Sequence, residues 1–222
     1  MMSTQTIFLD STPGQVPVRG MLHAPEHASG DALVLTHGAG ADSNAPLLRA
    51  LAEAFCEVGI TVLRCDLPFR QLRPHGPPPR GSAERDQQGL RRAVEILRKM
   101  VSGNVYLGGH SYGGRQASML AASDPGVAKA LLLLSYPLHP PKKPEQMRTE
   151  HFPNLKTPTL FVHGVRDGFA TSEELRAAIR VIPAKTELLD VEKAGHELLS
   201  KTNRAELMER VVEAFRGMHL RG

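Results

Sequence analysis

Short apolar strands alternate with amphipathic helices along this chain, and this alternation constrains the fold more than any other feature of the sequence. It is typical of a mostly parallel sheet that is covered by helices on both faces. After an opening antiparallel hairpin, residues 6–9 with 16–22, strands are predicted at residues 32–36, 60–64, 104–107, 130–135, 159–162 and 187–191. We therefore expect an α/β fold, built as one domain over residues 1–222.

Each predicted helix carries one apolar face, as a helix packed against a sheet should. The helices are expected at residues 44–58, after Ser82, directly after Ser111, from the capping-box pattern at Thr171, and at residues 203–216. Two proline-rich segments interrupt this order. Residues 68–81 are predicted to form an extended surface loop, and residues 136–158 are expected to hold one short helix near residues 145–151.

The segment Gly109-His110-Ser111-Tyr112-Gly113 matches the pattern GxSxG. It follows an apolar strand and opens a predicted helix, which is the turn that exposes a serine hydroxyl at the top of an α/β sheet. Small residues on both sides of Ser111 fit this turn because the strand and helix backbones must pass close to each other. The alternative is a serine that only caps a helix behind a glycine-rich turn.

A serine nucleophile requires a base and a group that orients the base. His196 follows the last predicted strand, and Asp167 follows the strand before it. The chain order Ser111, Asp167, His196 is the order described for α/β-hydrolases. Asp190 and Glu192 are reserve candidates for the acid, although they lie at the end of the strand that precedes His196.

Acyl transfer also requires donors where negative charge develops on the carbonyl oxygen. The segment His37-Gly38-Ala39-Gly40 follows an apolar strand, and its small residues would leave backbone amides bare. The predicted oxyanion hole consists of the Ala39 and Tyr112 amides, with Gly40 as a possible substitute; the alternative is a plain glycine turn. Neither phosphate-loop spacing nor metal-ligand spacing is present, so no cofactor and no metal are expected.

At these motifs the chain resembles the α/β-hydrolase superfamily, through residues 35–40, 109–115, 163–167 and 195–196. Residues 66–70 and 113–118 are similar to the small capless branch related to dienelactone hydrolases, in particular the KANSL/testis-expressed type. The resemblance covers essentially the whole chain and implies an α/β-hydrolase fold with a Ser111, Asp167, His196 triad. Dienelactone hydrolases proper use cysteine as the nucleophile, so Ser111 departs from them.

The predicted activity is that of a serine hydrolase that cleaves a carboxylic ester or thioester through an acyl-enzyme on Ser111. Large caps in this fold are commonly inserted before the strand at 159–162, where only the 23 residues 136–158 are available. We therefore expect no cap domain and an open site for a small substrate. Two alternatives stay open: a peptidase with the same triad, and a catalytically silent interaction subunit with the hydrolase fold.

Basic residues are concentrated between positions 64 and 99, where arginine and lysine outnumber the acids nine to four. We expect Arg70, Arg73 or Arg80 to attract a carboxylate or phosphate on the substrate; the alternative is a solvated helix and loop face. A nucleic-acid partner is disfavoured because the chain has no Trp and only 5% aromatic residues. No apolar run is long enough to span a membrane and no signal peptide is predicted, so a cytoplasmic location is expected. The oligomeric state stays open.

Overall fold

The computed structural model of the chain describes residues 4–219. Within these residues, eight strands form one sheet: β1 (Thr4–Asp10), β2 (Val18–Ala24), β3 (Ala32–Thr36), β4 (Thr61–Cys65), β5 (Val105–His110), β6 (Leu131–Leu134), β7 (Thr159–Gly164) and β8 (Thr186–Val191). Their order is β1-β2-β4-β3-β5-β6-β7-β8. The first two strands form the predicted antiparallel hairpin, and β3 to β8 run parallel. The prediction of a mostly parallel sheet is confirmed.

Helices cover both faces of the sheet, as the apolar patterns predict. They are α1 (Pro46–Glu57), α2 (Pro68–Leu72), α3 (Ala83–Met100), α4 (Tyr112–Ser123), α5 (Ser172–Ile179) and α6 (Arg204–His219). Side chains of β3 alternate between the faces: Ala32 and Val34 pack with α3 and α4, whereas Leu33 and Leu35 pack with α1 and α6. Thr171 forms the predicted capping box with Glu174 at the start of α5.

The structure corrects two local predictions. Residues 68–81 do not form an extended loop throughout, because helix α2 occupies the first five of them. Pro68 suits the first turn of a helix. The Phe69 amide, which has no partner within the helix, donates a hydrogen bond to the buried Asp86 at 3.0 Å. Residues 145–151 form turns and irregular backbone instead of a helix, and the short helical element is a 3₁₀ turn at Phe152–Asn154.

The parallel strands all end at one edge of the sheet, and this edge carries the candidate residues. Loops after β3, β5, β7 and β8 meet there, as is usual for ligand sites in open α/β sheets. No cap domain covers the edge, because the connection from β6 to β7 contains only turns and the 3₁₀ turn. Between residues 4 and 219, none of the helices has both the length and the apolar character needed to cross a membrane.

Candidate active site

Ser111 lies in a sharp turn between β5 and α4. Its backbone has φ of 51° and ψ of −118°, a strained conformation for a residue with a side chain. Glycines make the turn possible: a side chain at Gly109 would approach the Gly113 carbonyl carbon to 2.6 Å, and one at Gly113 would approach the His37 oxygen to 2.5 Å. The Ser111 amide donates to the Leu134 carbonyl at 2.8 Å. The GxSxG pattern therefore forms the predicted elbow.

The imidazole of His196 lies between Ser111 and Asp167. Its Nε2 is 2.8 Å from Ser111 Oγ, and its Nδ1 is 2.8 Å from Asp167 Oδ2. A carboxylate only accepts hydrogen bonds, so Nδ1 carries the proton and Nε2 accepts from the serine hydroxyl. The structure thus brings together the three residues that the sequence analysis selected, in the orientation that a proton relay requires.

Asp167 is held rigidly on the far side of the imidazole. Its side chain is fully buried, and its second oxygen accepts a hydrogen bond from the Phe169 amide at 2.9 Å. The Phe169 ring lies against the His196 ring, with 4.3 Å between centroids. The His196 side chain keeps 21% exposure. The acid is therefore shielded from water while the base and the serine face the solvent side.

The reserve acids do not contact His196. Asp190 accepts a hydrogen bond from Ser172 at 2.8 Å and pairs with Arg176, at the end of β8. Glu192 is exposed and lies outside the His196 hydrogen bonds. Asp167 is thus the carboxylate that meets the imidazole, as the motif order favours.

His110 holds the backbone of His196 in place, and this contact was not identified from the sequence. Its Nε2 donates a hydrogen bond to the His196 carbonyl oxygen at 2.8 Å. Burial lowers the pKa of the His110 imidazole below its ordinary value, so the ring stays neutral. The sequence shows only that a histidine precedes the elbow serine. His110 and His196 are 86 residues apart in the chain, so no local pattern predicts their contact.

The glycine-rich loop after β3 lies next to the serine. A methyl group on Gly38 would lie 3.3 Å from Ser111 Cβ. Within residues 4–219, neither the Ala39 amide nor the Tyr112 amide donates a hydrogen bond. Tyr112 directs its hydroxyl to the buried Asp86 at 2.8 Å. Both predicted oxyanion donors are therefore free, and they lie on the two backbone segments that flank Ser111.

His37 ties this loop to the next strand. Its Nε2 accepts a hydrogen bond from the Leu67 amide at 3.0 Å, so its Nδ1 carries the proton and donates to the Gly38 carbonyl at 2.8 Å. Burial lowers the pKa of the His37 imidazole. His37 is thus a fully buried, neutral side chain that holds backbone. Among the residues that the structure describes, no group of three or more His, Cys, Asp or Glu side chains could hold a metal ion.

The family model described as "Alpha/beta hydrolase domain" matches residues 29–218, which is most of the chain. The chain belongs to the α/β-hydrolase family. The solved structures that are similar to it include a dienelactone hydrolase from Anabaena variabilis, with 21% identity, 97% of this chain and 98% of that chain covered, and a TM-score of 0.75. Est1E from Butyrivibrio proteoclasticus has 18% identity, 96% and 98% coverage, and a TM-score of 0.73. A serine hydrolase without a lid from Xanthomonas campestris has 18% identity, 96% and 94% coverage, and a TM-score of 0.72.

A cleft of about 660 Å³ opens beside Ser111 in this α/β-hydrolase. Its walls are the loop after β3, the first turn of α1 and the loops that carry Phe169 and His196. Among the described lining residues, Glu197 is the one with a formal charge, and Pro46, Leu47, Leu48, Phe169 and Leu199 give an apolar wall. A larger groove of about 1160 Å³ lies between α1 and α6, but the described residues that line it include no serine, cysteine or histidine.

The structure corrects the prediction that Arg70 binds a substrate anion. Arg70 is only 3% exposed, and its guanidinium donates to four backbone carbonyls. Four of its five N–H donors are therefore used inside the molecule, and Arg70 is not among the residues that line the cleft beside Ser111. Arg73 and Arg80 are exposed and lie outside the residues that line the cleft.

Most of the other cations between residues 64 and 99 also have partners inside the molecule. Arg64 is fully buried and donates to His23 and to the Ser43 carbonyl. Arg91 pairs with Asp124, Arg92 pairs with Asp10, and Arg98 donates to the Gly126 and Val127 carbonyls. The local excess of positive charge is therefore largely used to hold the fold together.

Proposed function

We propose that this protein is a serine hydrolase that cleaves small carboxylic esters or thioesters. The observation that carries the proposal is the position of the His196 ring, 2.8 Å from Ser111 Oγ on one side and 2.8 Å from Asp167 on the other. This arrangement makes the hydroxyl a usable nucleophile at neutral pH. A merely structural serine would need neither the strained backbone nor the buried carboxylate behind the base.

In the first step, Ser111 Oγ attacks the substrate carbonyl carbon while His196 Nε2 takes the hydroxyl proton. Asp167 accepts the Nδ1 hydrogen bond and stabilises the imidazolium that forms. The negative charge on the carbonyl oxygen is stabilised by the Ala39 and Tyr112 amides, with Gly40 as the substitute donor. His196 then gives its proton to the departing alcohol or thiol, which leaves the acyl group on Ser111.

In the second step, water replaces the leaving group. His196 takes a proton from the water, the resulting hydroxide attacks the acyl carbon, and the same amides receive the negative charge. The Ser111–acyl bond breaks when His196 returns the proton to Oγ, and the carboxylic acid is released. The uncapped edge supports this step because solvent reaches the cleft without a lid movement.

The cleft favours a neutral, short acyl group. Its volume of about 660 Å³ suits a small molecule, and its wall is mostly apolar. Glu197 on the lining would repel an anionic substrate, and neither Arg73 nor Arg80 lies there to offset it. One similar structure is that of Est1E with ferulic acid bound, so at least one protein of this fold binds a small acyl-group precursor.

A fluorophosphonate probe tests the nucleophile directly. We expect stoichiometric labelling of the wild-type protein and none of Ser111→Ala or His196→Ala. Peptide mass mapping should find the probe on the peptide that contains Ser111. A folded wild-type protein that stays unlabelled and hydrolyses no ester would contradict the proposal and leave the silent interaction subunit as the better interpretation.

An ester series tests the substrate class. We expect kcat/KM for p-nitrophenyl esters to be highest for butyrate or a neighbouring short chain and to fall towards laurate. The matched charge probe is p-nitrophenyl hemisuccinate, which should react more slowly than butyrate in the wild type. Glu197→Gln should narrow this difference by raising kcat/KM for the hemisuccinate alone. A preference for the hemisuccinate in the wild type would exclude a neutral acyl pocket.

A further inference from the structure

In the loop after β3, the side chains that bind the backbone carbonyls also fix the direction of the backbone amides. In a trans peptide the C=O and N–H groups point in opposite directions, so a side chain that holds a carbonyl on one side directs the next amide to the other side. Gly38, Ala39, Gly40 and Ala41 all line the cleft beside Ser111. The side chains that bind their carbonyls therefore determine which amides face a substrate.

Two buried side chains bind these carbonyls from behind the loop. His37 donates to the Gly38 carbonyl at 2.8 Å, which directs the Ala39 amide. Arg70 Nη2 donates to the Ala39 carbonyl at 2.7 Å, which directs the Gly40 amide, and Arg70 Nε donates to the Ala41 carbonyl at 2.8 Å. Neither His37 nor Arg70 lines the cleft. Each therefore acts on the site only through the backbone.

Arg70 is itself fixed from several directions. Its remaining hydrogen bonds go to the Arg73 carbonyl at 3.0 Å and to the Gly76 carbonyl at 2.9 Å. Its guanidinium carbon also lies 4.9 Å from the centre of the Phe69 ring. A planar guanidinium can reach these four carbonyls at once, whereas an ammonium group presents a single point.

The short helix that carries Arg70 is also bound to the elbow. Asp86 is fully buried and accepts hydrogen bonds from the Phe69 amide at 3.0 Å and from the Tyr112 hydroxyl at 2.8 Å. The Phe69 and Tyr112 rings meet edge to face, with 5.7 Å between centroids. Helix α2 therefore connects the loop that contains Ala39 and Gly40 to the residue that follows Ser111.

We infer that Arg70 is a positioning residue for the oxyanion hole. It holds the Ala39 and Ala41 carbonyls behind the loop, which directs the Gly40 amide and fixes the segment whose Ala39 amide His37 directs. This inference rests on the proposed serine-hydrolase function, because the loop matters to catalysis only if charge develops on a carbonyl oxygen at Ser111. Loss of a whole oxyanion donor costs about 10²- to 10³-fold in kcat, so a misdirected loop should cost about 10- to 100-fold.

The test compares Arg70→Met and Arg70→Lys with Arg98→Met. Arg98 is the matched control because it also donates to two backbone carbonyls, Gly126 and Val127 at 2.6 and 2.7 Å, but neither Arg98 nor those residues line the cleft. With p-nitrophenyl butyrate, both Arg70 variants should lose about 10- to 100-fold in kcat while KM changes by less than about threefold. Arg98→Met should keep the wild-type kcat.

A second measurement separates positioning from a merely structural role. An alkyl trifluoromethyl ketone adds to the serine and leaves an oxyanion in the hole, so its inhibition constant should rise in the Arg70 variants by the same factor as kcat falls. If the substitution only destabilised the fold, the melting temperature would fall, but the rise in the inhibition constant would not equal the fall in kcat. If Arg70→Met does not fold, Arg70→Lys provides both measurements.

The outcomes are distinct. Wild-type turnover together with an unchanged kcat and inhibition constant in a folded Arg70 variant would overturn the inference alone. An equal loss of kcat in Arg98→Met would overturn it too, because the effect would then not depend on the loop. A wild-type protein that neither hydrolyses esters nor reacts with fluorophosphonate would overturn the proposed function and this inference with it.

Discussion

Two serine–histidine pairs in this molecule have the same contact distance and different surroundings. Ser111 Oγ and His196 Nε2 are 2.8 Å apart at the sheet edge. Ser118 Oγ, in helix α4, and His151 Nε2 are also 2.8 Å apart. By distance alone the two pairs cannot be told apart. Their remaining hydrogen bonds distinguish them.

In the second pair the hydroxyl is already occupied. Ser118 is fully buried in the middle of α4, and its Oγ donates to the Arg115 carbonyl at 2.9 Å. His151 Nε2 must therefore carry the proton and donate to Ser118, the reverse of the direction at His196. In the part of the chain that the structure describes, no carboxylate contacts the His151 ring, and burial lowers the pKa of this imidazole to about 4.

The two pairs differ in what the proposed nucleophile requires besides a nearby imidazole. At Ser111 the strained turn removes the residue from the regular helix, so its hydroxyl has no backbone carbonyl one turn before it to bind. Asp167 then fixes the tautomer that leaves Nε2 free to accept a proton. At Ser118 the helix satisfies the hydroxyl, and the pair only fastens α4 to the connection before β7.

Replacement of the two serines should have the most unequal effect. We expect Ser111→Ala to lower kcat for p-nitrophenyl butyrate by about 10⁵-fold or more, because it removes the atom on which the proposed acyl-enzyme forms. Steady-state hydrolysis measures this loss, with the wild-type enzyme titrated by fluorophosphonate and the variant quantified by its protein concentration. Loss of activity in a folded Ser118→Ala variant would contradict the distinction between the two serine–histidine pairs.

Removing the charge of Asp167 should have the next largest effect. Asp167→Asn keeps the shape and the Phe169 hydrogen bond but offers an N–H to the imidazole, which favours the wrong tautomer. We expect kcat to fall by about 10⁴-fold with little change in KM. Asp190→Asn, on the neighbouring strand, is the control and should keep kcat within about twofold. A similar fall in both variants would argue that β8 supplies the acid.

Ser118→Ala should affect stability and not catalysis. It removes the hydroxyl that His151 contacts and leaves the buried Nε2 without a partner. We expect the free energy of unfolding to fall by about 1–2 kcal/mol, measured by urea denaturation, while kcat stays within about twofold. Ser123→Ala, which also removes a hydroxyl bound to a helix carbonyl, at 2.9 Å, should cost less because that serine has no histidine partner.

The pH dependence of the free energy of unfolding should reveal the lowered pKa of His151. Its pKa is lowered to about 4 in the folded protein and lies near 6.5 when exposed, so the unfolded chain binds more protons between these values. Stability should therefore fall as the pH drops from about 6.5 towards 4. In His151→Gln, urea titrations over this range should show a shallower slope, by up to about 1.4 kcal/mol per pH unit. An unchanged slope would indicate that His151 stays protonated in the folded state.

Much of the fold could be read from local patterns. Most of the six parallel strands are short apolar runs, and each long helix has one apolar face, so the hydrophobic period alone separates the two kinds of element. Helix α2 was missed because its stability depends on Asp86, seventeen residues beyond the amide that it caps. The prediction for residues 145–151 was wrong: the segment, which lies between Pro144 and Pro153, forms turns and irregular backbone.

The candidate site shows the same division. Ser111, Asp167 and His196 could be selected from sequence because each follows a strand at the edge where parallel strands end, and the motif around Ser111 requires small neighbours. Arg70 was assigned to a substrate because exposure cannot be read from composition, and its four carbonyl partners come from two segments, the loop after β3 and the residues that follow α2. His110 and His37 likewise gained their roles from backbone atoms that other segments supply.

The sequence by itself determined the order of strands and helices and the residues that could perform acyl transfer, because hydrophobic period and turn chemistry act over a few neighbouring positions. Only the tertiary structure decided which histidine faces a free hydroxyl and which arginine faces solvent. Those outcomes depend on hydrogen bonds between groups that lie far apart in the chain, and a buried polar group takes whichever partner the packed fold brings within about 3 Å.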